Sequence, residues 1–389
     1  MPGFELIDKK ERAELNKIFT LSNGVMFAHG FENLRNNNYL VRKFEKKICN
    51  KLGVKYCLAT TSGTMAQYIA MKALGIKKGD QIITQSFTFV ATIEAIIALG
   101  AEPVVLNVDK TLNMDVEELK KNINKKTKLI IPVPMLGNPT RIDEIKRISK
   151  KFNIPIIEDA CESLGAKYKN KYVGTTSDIG IYSLDFAKTI TTGEGGLIVT
   201  NNKKIDKFCR EFHDHGHENN PSRSRGKDTR SMPGLNLRMT ELQAAVGLAQ
   251  VDKLDEIVFQ NKKNKKLLKN IISKNNKIEF REITDDEELS DTLIFFLKNK
   301  DQANKFEKIY TKKGYPIKNL PNAIDWHFAG TWSHMFKHTK KHGKNWKYIW
   351  SKSKKLLERS ISIPILIKEN KSEILKKGKL INYILDNHL

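Results

Sequence analysis

The chain has 389 residues, 40% of them hydrophobic and 29% charged, with no long apolar run and no leader pattern at its start; it reads as a globular protein off the membrane, with room for two domains. The formal net charge is +24, yet the cations are spread along the chain among asparagines and no nucleic-acid-binding signature accompanies them. A nucleic-acid partner is therefore disfavoured, and what remains is a solvated basic surface able to draw in anionic small molecules. The four cysteines, Cys49, Cys57, Cys161 and Cys209, show no CxxC spacing, which argues for the reducing cytoplasm and against structural zinc.

Residues 7–19 read as a helix with Asp8 as N-cap and Glu11 at the capping-box position, ended by Asn23-Gly24. The polar segment 31–39 follows. It carries Arg35, either the one charge there placed to meet an anion or, more plainly, an exposed loop arginine. Residues 41–52 form an amphipathic helix closed by Gly53, and residues 56–59 a short strand. Thr60-Thr-Ser-Gly-Thr64 then leads into a helix with apolar Ala66, Ile69, Ala70, Ala73 and Leu74. A strand, a hydroxyl-rich turn and a helix start form an anion site, because the first helical N–H groups are unpaired and the dipole favours negative charge. Residues 81–84, 102–109, 127–134 and 154–159 read as strands and residues 141–151 as a helix. The alternation predicts an α/β fold built on a doubly wound, mostly parallel sheet. Ligands of such sheets sit at the carboxyl ends of strands, where Asp159 stands.

Two apolar runs, 179–184 and 197–199, look like buried strands, and between them lie Lys188, Gly193, Gly195 and Gly196. A lysine partly desolvated in such a turn gives up its proton more readily than a solvated one, and a neutral amine can bond covalently to an aldehyde. Further on, alternate spacing of His213, His215 and His217 would set three imidazoles on one side of an extended strand, a metal-like pattern that competes with a plain loop. The polar loop 219–231 carries Arg223, Arg225 and Arg230, suited to a carboxylate or phosphate. Thr240 caps a helix rich in Ala and Leu. From about residue 260 Lys and Asn rise and apolar runs shorten, which suggests a large domain over 1–258 and a smaller one over 259–389. In the latter, residues 291–297 read as a strand and 302–313 as a helix, while His327 and His334 are surface or core residues unless they line a site mouth.

Ser183-x-x-x-x-Lys188 followed by Thr-Ile-Thr-Thr-Gly-Glu-Gly-Gly resembles the lysine loop of the DegT-type sugar aminotransferases, which are pyridoxal phosphate (PLP) enzymes of fold type I. The resemblance implies that Lys188 carries PLP covalently and moves protons, and that Asp159 pairs with the pyridine nitrogen and keeps the ring electron-withdrawing. It places the cofactor phosphate on Ser62, Gly63, Thr64 and the amide of Met65, and the ring against Phe89 rather than Phe87. Ser183 belongs to the same cofactor site. Glu162 departs from the glutamine usual beside the ring hydroxyl, where a second carboxylate disfavours a phenolate unless it is protonated or hydrogen-bonded. Asp185 departs from a histidine common in relatives and is read, with His215, Arg238 and Arg35, as substrate-binding. Asn236 is expected to reach the PLP phosphate of a second chain, so that a homodimer shares its sites. The substrates implied are an amino donor, glutamate, and a keto or aldehydo sugar. Residues 1–6, the insertion after Gly30-Phe31 and Asp214-His-Gly-His217 resemble more narrowly the 8-amino-3,8-dideoxy-octulosonate transaminases of lipopolysaccharide synthesis, which aminate C8 of an oxidised Kdo. The alternative substrate is a nucleotide-linked 3- or 4-keto-6-deoxyhexose. A PLP sugar dehydratase ranks lower, since those relatives replace the lysine by histidine.

Overall fold

The strands of the large sheet are buried along nearly their whole length, as strands covered by helices on both faces must be. The computed structural model describes residues 3–220, 222–318, 320–321, 324–336 and 346–389. Met1 and Pro2 of the expected start motif, and Pro221 of the arginine loop, lie outside the described residues.

Strands β1 (Tyr56–Thr60), β2 (Gln81–Gln85), β3 (Glu102–Leu106), β4 (Thr127–Ile130) and β5 (Ile157–Asp159) are followed by a two-residue hairpin, β6 (Lys167–Tyr168) and β7 (Lys171–Tyr172), and by β8 (Ile179–Ser183) and β9 (Gly196–Thr200). One parallel array has the order β3-β2-β4 and another array has the order β1-β9-β8-β5. The parallel bridge Ile130–Ile156 joins them. Strand β5 runs parallel to β8, whereas β9 is antiparallel to both β8 and β1. The expected doubly wound, mostly parallel α/β architecture is therefore present, with β9 reversed because the lysine turn returns the chain directly beside β8.

The helices begin with α1 (Lys9–Leu21), α2 (Leu40–Leu52), α3 (Gly63–Ala73), α4 (Ala91–Ala98), α5 (Val116–Asn122), α6 (Ile142–Phe152), α7 (Lys203–Phe212) and α8 (Glu241–Ile272). The Asp8 capping box of α1 forms as its sequence predicts. Its Glu11 then turns inward to the buried Lys253 of α8, with Oε1 2.6 Å from Nζ, and takes a second bond from Gln250. Helix α2 ends on Gly53 in the left-handed region, φ +70°.

Helix α8, capped by Thr240, is 32 residues long, about 48 Å at the helical rise. Its first half packs on α1 and α2, and its second half on the C-terminal helix Lys371–His388. A division after residue 258 falls inside this single helix, so the change of composition there marks no break in the backbone. The C-terminal part adds an antiparallel sheet of β10 (Glu279–Phe280), β11 (Thr292–Phe296) and β12 (Ser360–Pro364). Around it Leu293, Phe295, Phe306, Ile361 and Ile381 form their own apolar cluster.

Candidate active site

Lys188 sits in the turn after β8, with 14% of its side chain exposed. Its backbone is pinned from two sides. The Lys188 N–H donates to the Asp185 carbonyl at 3.0 Å, and the N–H of Gly3 donates to the Lys188 carbonyl at 3.0 Å. Gly193 takes φ +82° to bring the chain back. A Cβ on Gly196 would lie 2.2 Å from the Ser62 carbonyl oxygen. Only a residue without a side chain lets β9 run that close to the Ser62 turn.

Asp159 ends β5 and is 2% exposed. Its carboxylate accepts from Gln67 Nε2 at 2.5 Å, from Thr92 Oγ1 at 2.8 Å and from the Cys161 N–H at 3.4 Å. All three donors are neutral. Burial raises its pKa, and the hydrogen bonds from Cys161 and Thr92, followed by the charge of Lys188, oppose that rise. A buried carboxylate held by neutral donors is suited to a cationic partner such as a protonated pyridine nitrogen.

The third part is the start of α3. Ser62 Oγ caps the helix by accepting from the Met65 N–H at 3.2 Å, and the first intrahelical bond runs from Ala66 to Ser62. The amides of Gly63 and Thr64 precede that bond and are turned to an anion by geometry. The Met65 amide, expected to join them, is already engaged by the cap. A Cβ on Gly63 would lie 3.0 Å from that of Ser183 and 3.1 Å from Cys161 Sγ, which ties the anion turn to the end of β8. A buried carboxylate, a largely covered lysine and a helix N-terminus thus converge, and this donor set fits PLP.

Glu162 is 4% exposed and lies with Oε1 3.7 Å from Lys188 Nζ, while Oε2 accepts from the Leu136 N–H at 3.2 Å. Burial pushes its pKa up, but Lys188, His327 and Lys318 together bring it below the ordinary value. Of the two phenylalanines, Phe87 is core at 0% exposure and Phe89 is open at 40%. Phe89 stacks on Trp326 with an interplanar angle of 10° and lies 5.5 Å from His327. The Thr88 N–H donates to the His327 carbonyl, which docks this C-terminal segment onto the Phe89 loop. Trp326, Gln67 and Thr92 escape the sequence reading. The signal for Gln67 was a polar residue on the apolar face of α3.

Other expected residues lie elsewhere. Arg35 is a correction: it is neither exposed nor open to substrate, but 0% exposed, paired with the equally buried Glu241 at 3.0 Å and bonded to the carbonyls of Asn38 and Phe27. The insertion wraps around this guanidinium, which supplies the donors its own carbonyls need. The three histidines diverge as well. His213 caps α7 and its Nδ1 contacts the Arg210 carbonyl, His215 is exposed with φ +56°, and His217 is buried beside Asp228 at 3.3 Å. No metal-ligand cluster occurs among the described residues. Arg238 bridges by its backbone to Thr60, next to the anion turn, but its side chain is bound to the buried Asp214, which also takes Arg225. Asp185 Oδ1 accepts from the Ala187 N–H at 2.9 Å, so one face of it caps the lysine turn. The Asn236 side chain is exposed on its own protomer.

The sequence profile described as the DegT/DnrJ/EryC1/StrS aminotransferase family matches residues 31–374. The chain is 38% identical over 226 residues to a GDP-perosamine synthase of Escherichia coli O157:H7, an alignment covering 58% of this chain and 60% of that protein. The chain thus spans about 60% of the length of such curated relatives. In structure it resembles the aminotransferase from Psychrobacter cryohalolentis, with TM-score 0.86, 24% identity and 98% of each chain covered. It also resembles a GDP-4-keto-6-deoxymannose-3-dehydratase with a trapped PLP–glutamate geminal diamine, with TM-score 0.80, 23% identity and 97% and 98% covered. These two are likenesses of fold.

Proposed function

The chain belongs to the DegT/DnrJ/EryC1/StrS aminotransferase family, and on that premise we propose that it is a PLP-dependent sugar aminotransferase acting on a nucleotide-linked keto-deoxyhexose, with glutamate as amino donor. The observation that carries the reading is the convergence of Lys188, the buried Asp159 and the N-terminus of α3, with the charge of Lys188 acting on Asp159 and Gly63 packed beside Ser183 and Cys161. The named GDP-perosamine synthase supports the choice of sugar, and the trapped glutamate of the dehydratase supports the donor. The narrower likeness to octulosonate transaminases is set second. Of the cations the chain offers for the carboxylate of that sugar, Arg35 is committed to Glu241, which leaves the exposed Arg223 and Arg230 of the loop 219–231, and the curated relative above is named for the other class of sugar.

PLP supplies an electron sink that lets a bond to the donor's Cα break heterolytically. Gly63 and Thr64 would hold its phosphate with backbone N–H groups, Asp159 its pyridine nitrogen, and Phe89 one face of its ring. Gln67 and Thr92 fix the Asp159 carboxylate so that it stays aimed along one direction. Lys188 Nζ takes the proton from the donor Cα and returns one to the sugar carbon that receives the amine. Phe89, Trp326 and His327 narrow the mouth and exclude water. Arg238, His215 and Asp185 remain proposed on the sugar side, and Asn236 is proposed to reach the phosphate of a second chain in a homodimer.

Among the described residues no helix is long and apolar enough to cross a membrane. The test is a panel of GDP-, UDP- and TDP-linked keto sugars and oxidised Kdo, each supplied with glutamate and read by mass spectrometry. Turnover of the octulosonate and of no nucleotide sugar reverses the order of the two readings. Mixing Lys188→Ala and Asn236→Ala chains tests the shared site, because activity recovered on mixing requires two chains per site.

A further inference from the structure

Residues Gly3–Leu6 form one 3-10 turn, and each of the four reaches a different part of the chain. The Gly3 N–H donates to the Lys188 carbonyl at 3.0 Å. The Phe4 ring stacks on that of Phe186, two positions before the lysine, with centroids 5.2 Å apart and planes inclined by 21°. The Glu5 carboxylate accepts from the N–H groups of Ile367 and Lys368 at 3.4 and 3.3 Å, in the segment between β12 and the C-terminal helix. The Leu6 carbonyl accepts from the buried ammonium of Lys253 on α8. Four neighbouring residues thus tie the lysine turn to α8 and to the C-terminal part.

Gly3 decides what this segment is for. Its φ lies outside the left-handed region, so the backbone conformation does not call for glycine. The space does. A Cβ there would lie 2.7 Å from the Lys188 carbonyl oxygen and 3.0 Å from both the Thr189 carbonyl oxygen and the Ile190 Cα. Packing explains Leu6, whose side chain joins the apolar cluster of α1, α2 and α8. It does not explain a glycine pressed onto the lysine turn, or a stack between Phe4 and Phe186 that leaves them 40% and 54% exposed. Further along the same turn, the Thr191 N–H donates to the buried Gln250 of α8 at 3.3 Å. Lys188 therefore stands between two anchors, the segment 3–6 on its own carbonyl and α8 beyond it.

We propose that residues 3–6 are a strap that positions Lys188, fixing the base of its side chain relative to α8 and the C-terminal part. This goes beyond the reaction proposed above and rests on it only for the role of the amine. The carbonyl that Gly3 holds is bonded to the Lys188 Cα, so restraining that peptide plane restrains the direction in which the side chain leaves the backbone. An amine whose origin shifts meets the reacting carbon off line, and a misplacement of ~1 Å costs on the order of 10²-fold in rate. The bonds from Lys188 to Asp185 and from Thr191 to Gln250 survive loss of the strap, so the expected loss is smaller, roughly tenfold.

Gly3→Val drives the strap off the turn, and Phe4→Ala removes the stack without adding bulk. Both are made in the full chain and loaded with PLP. Hydrogen exchange is read on the amides of residues 188–193. The donor half-reaction is read alone, as the rate at which glutamate discharges the visible chromophore, so that no sugar enters. In Gly3→Val the turn is expected to exchange roughly tenfold faster, and the limiting discharge rate to fall roughly tenfold at an unchanged half-saturating glutamate concentration and a parental Tm. Phe4→Ala moves both readouts the same way by less, and Phe4→Tyr, which keeps the stack, returns them to parental values. Should Gly3→Val not fold, Phe4→Ala against Phe4→Tyr makes the same comparison. A turn that exchanges as in the parent, or one that exchanges faster while the discharge rate stays parental, overturns the positioning role. A parent whose colour glutamate does not discharge refutes the donor proposed above instead, and the exchange then decides the strap.

Discussion

Replacing Arg35 by methionine removes the cation that sits against Glu241 and leaves a carboxylate buried at 0% exposure. Breaking a buried pair costs about 3–5 kcal/mol. Glu241 keeps its bonds from the N–H groups of Leu40 and Val41 at 2.5 and 3.3 Å, so the lower end applies, about 3 kcal/mol. With an unfolding entropy of ~2.1 cal/mol/K per residue, 389 residues give ~0.8 kcal/mol/K and a fall in Tm of ~4 °C. Burial already raises the pKa of Glu241. Without Arg35 it rises further, so the loss of stability is full above that raised value and shrinks as the pH falls toward the ordinary carboxylate range. The assay is urea unfolding and thermal melting across that range, with the sugar KM measured on the folded fraction. Arg35→Met/Glu241→Leu, which leaves no orphan charge, recovers most of the loss. An unchanged Tm together with a raised sugar KM would falsify this account and return Arg35 to the substrate.

Lys188→Ala should lower aminotransfer on the order of 10³-fold or more and abolish the borohydride-trappable chromophore; a variant that still aminates at the parental rate removes the mechanism. Glu158 is 2% exposed and burial pushes its carboxyl up to about 7, although the Gly174 N–H opposes this at 2.8 Å. Stability should therefore be greatest below pH 4.5 as far as this group is concerned and fall as the pH rises through 7. Glu158→Gln flattens that slope and gains at most roughly 3 kcal/mol at alkaline pH, and a parallel slope in the two proteins counts against it. Asp214 has the opposite sign. Burial raises it, but its bond from Arg225 and the charges of His29, Arg225 and Arg238 hold it near 2. Its contribution is present above the ordinary carboxylate pKa and lost as the pH falls through about 2. Asp214→Asn should be less stable at neutral pH, lack that acid transition and be cut faster by protease in the loop 219–231. Parental resistance to proteolysis would mean that Asp214 does not tether the loop.

Local chemistry made much of this protein legible before its fold was known. The capping box at Asp8 and Glu11, the Gly53 stop and the Thr240 cap each depend on residues within four positions of one another, so the sequence states them outright. The alternation of apolar runs and helical segments and the glycines of the lysine turn are local as well, although what Gly196 approaches, Ser62, stands far from it in the chain. Arg35 could not be judged that way, because its partner Glu241 stands 206 positions along the chain. Gln67 was hidden likewise, since only packing sets it against Asp159, and the change of composition near residue 260 gave no hint that one helix crosses it. The histidine spacing suggested a strand, but the helix cap at His213 and the left-handed backbone at His215 turned the rings apart. Hydrogen bonds of helix caps and tight turns are fixed by chain neighbours, whereas the environment of a charge depends on every element packed around it.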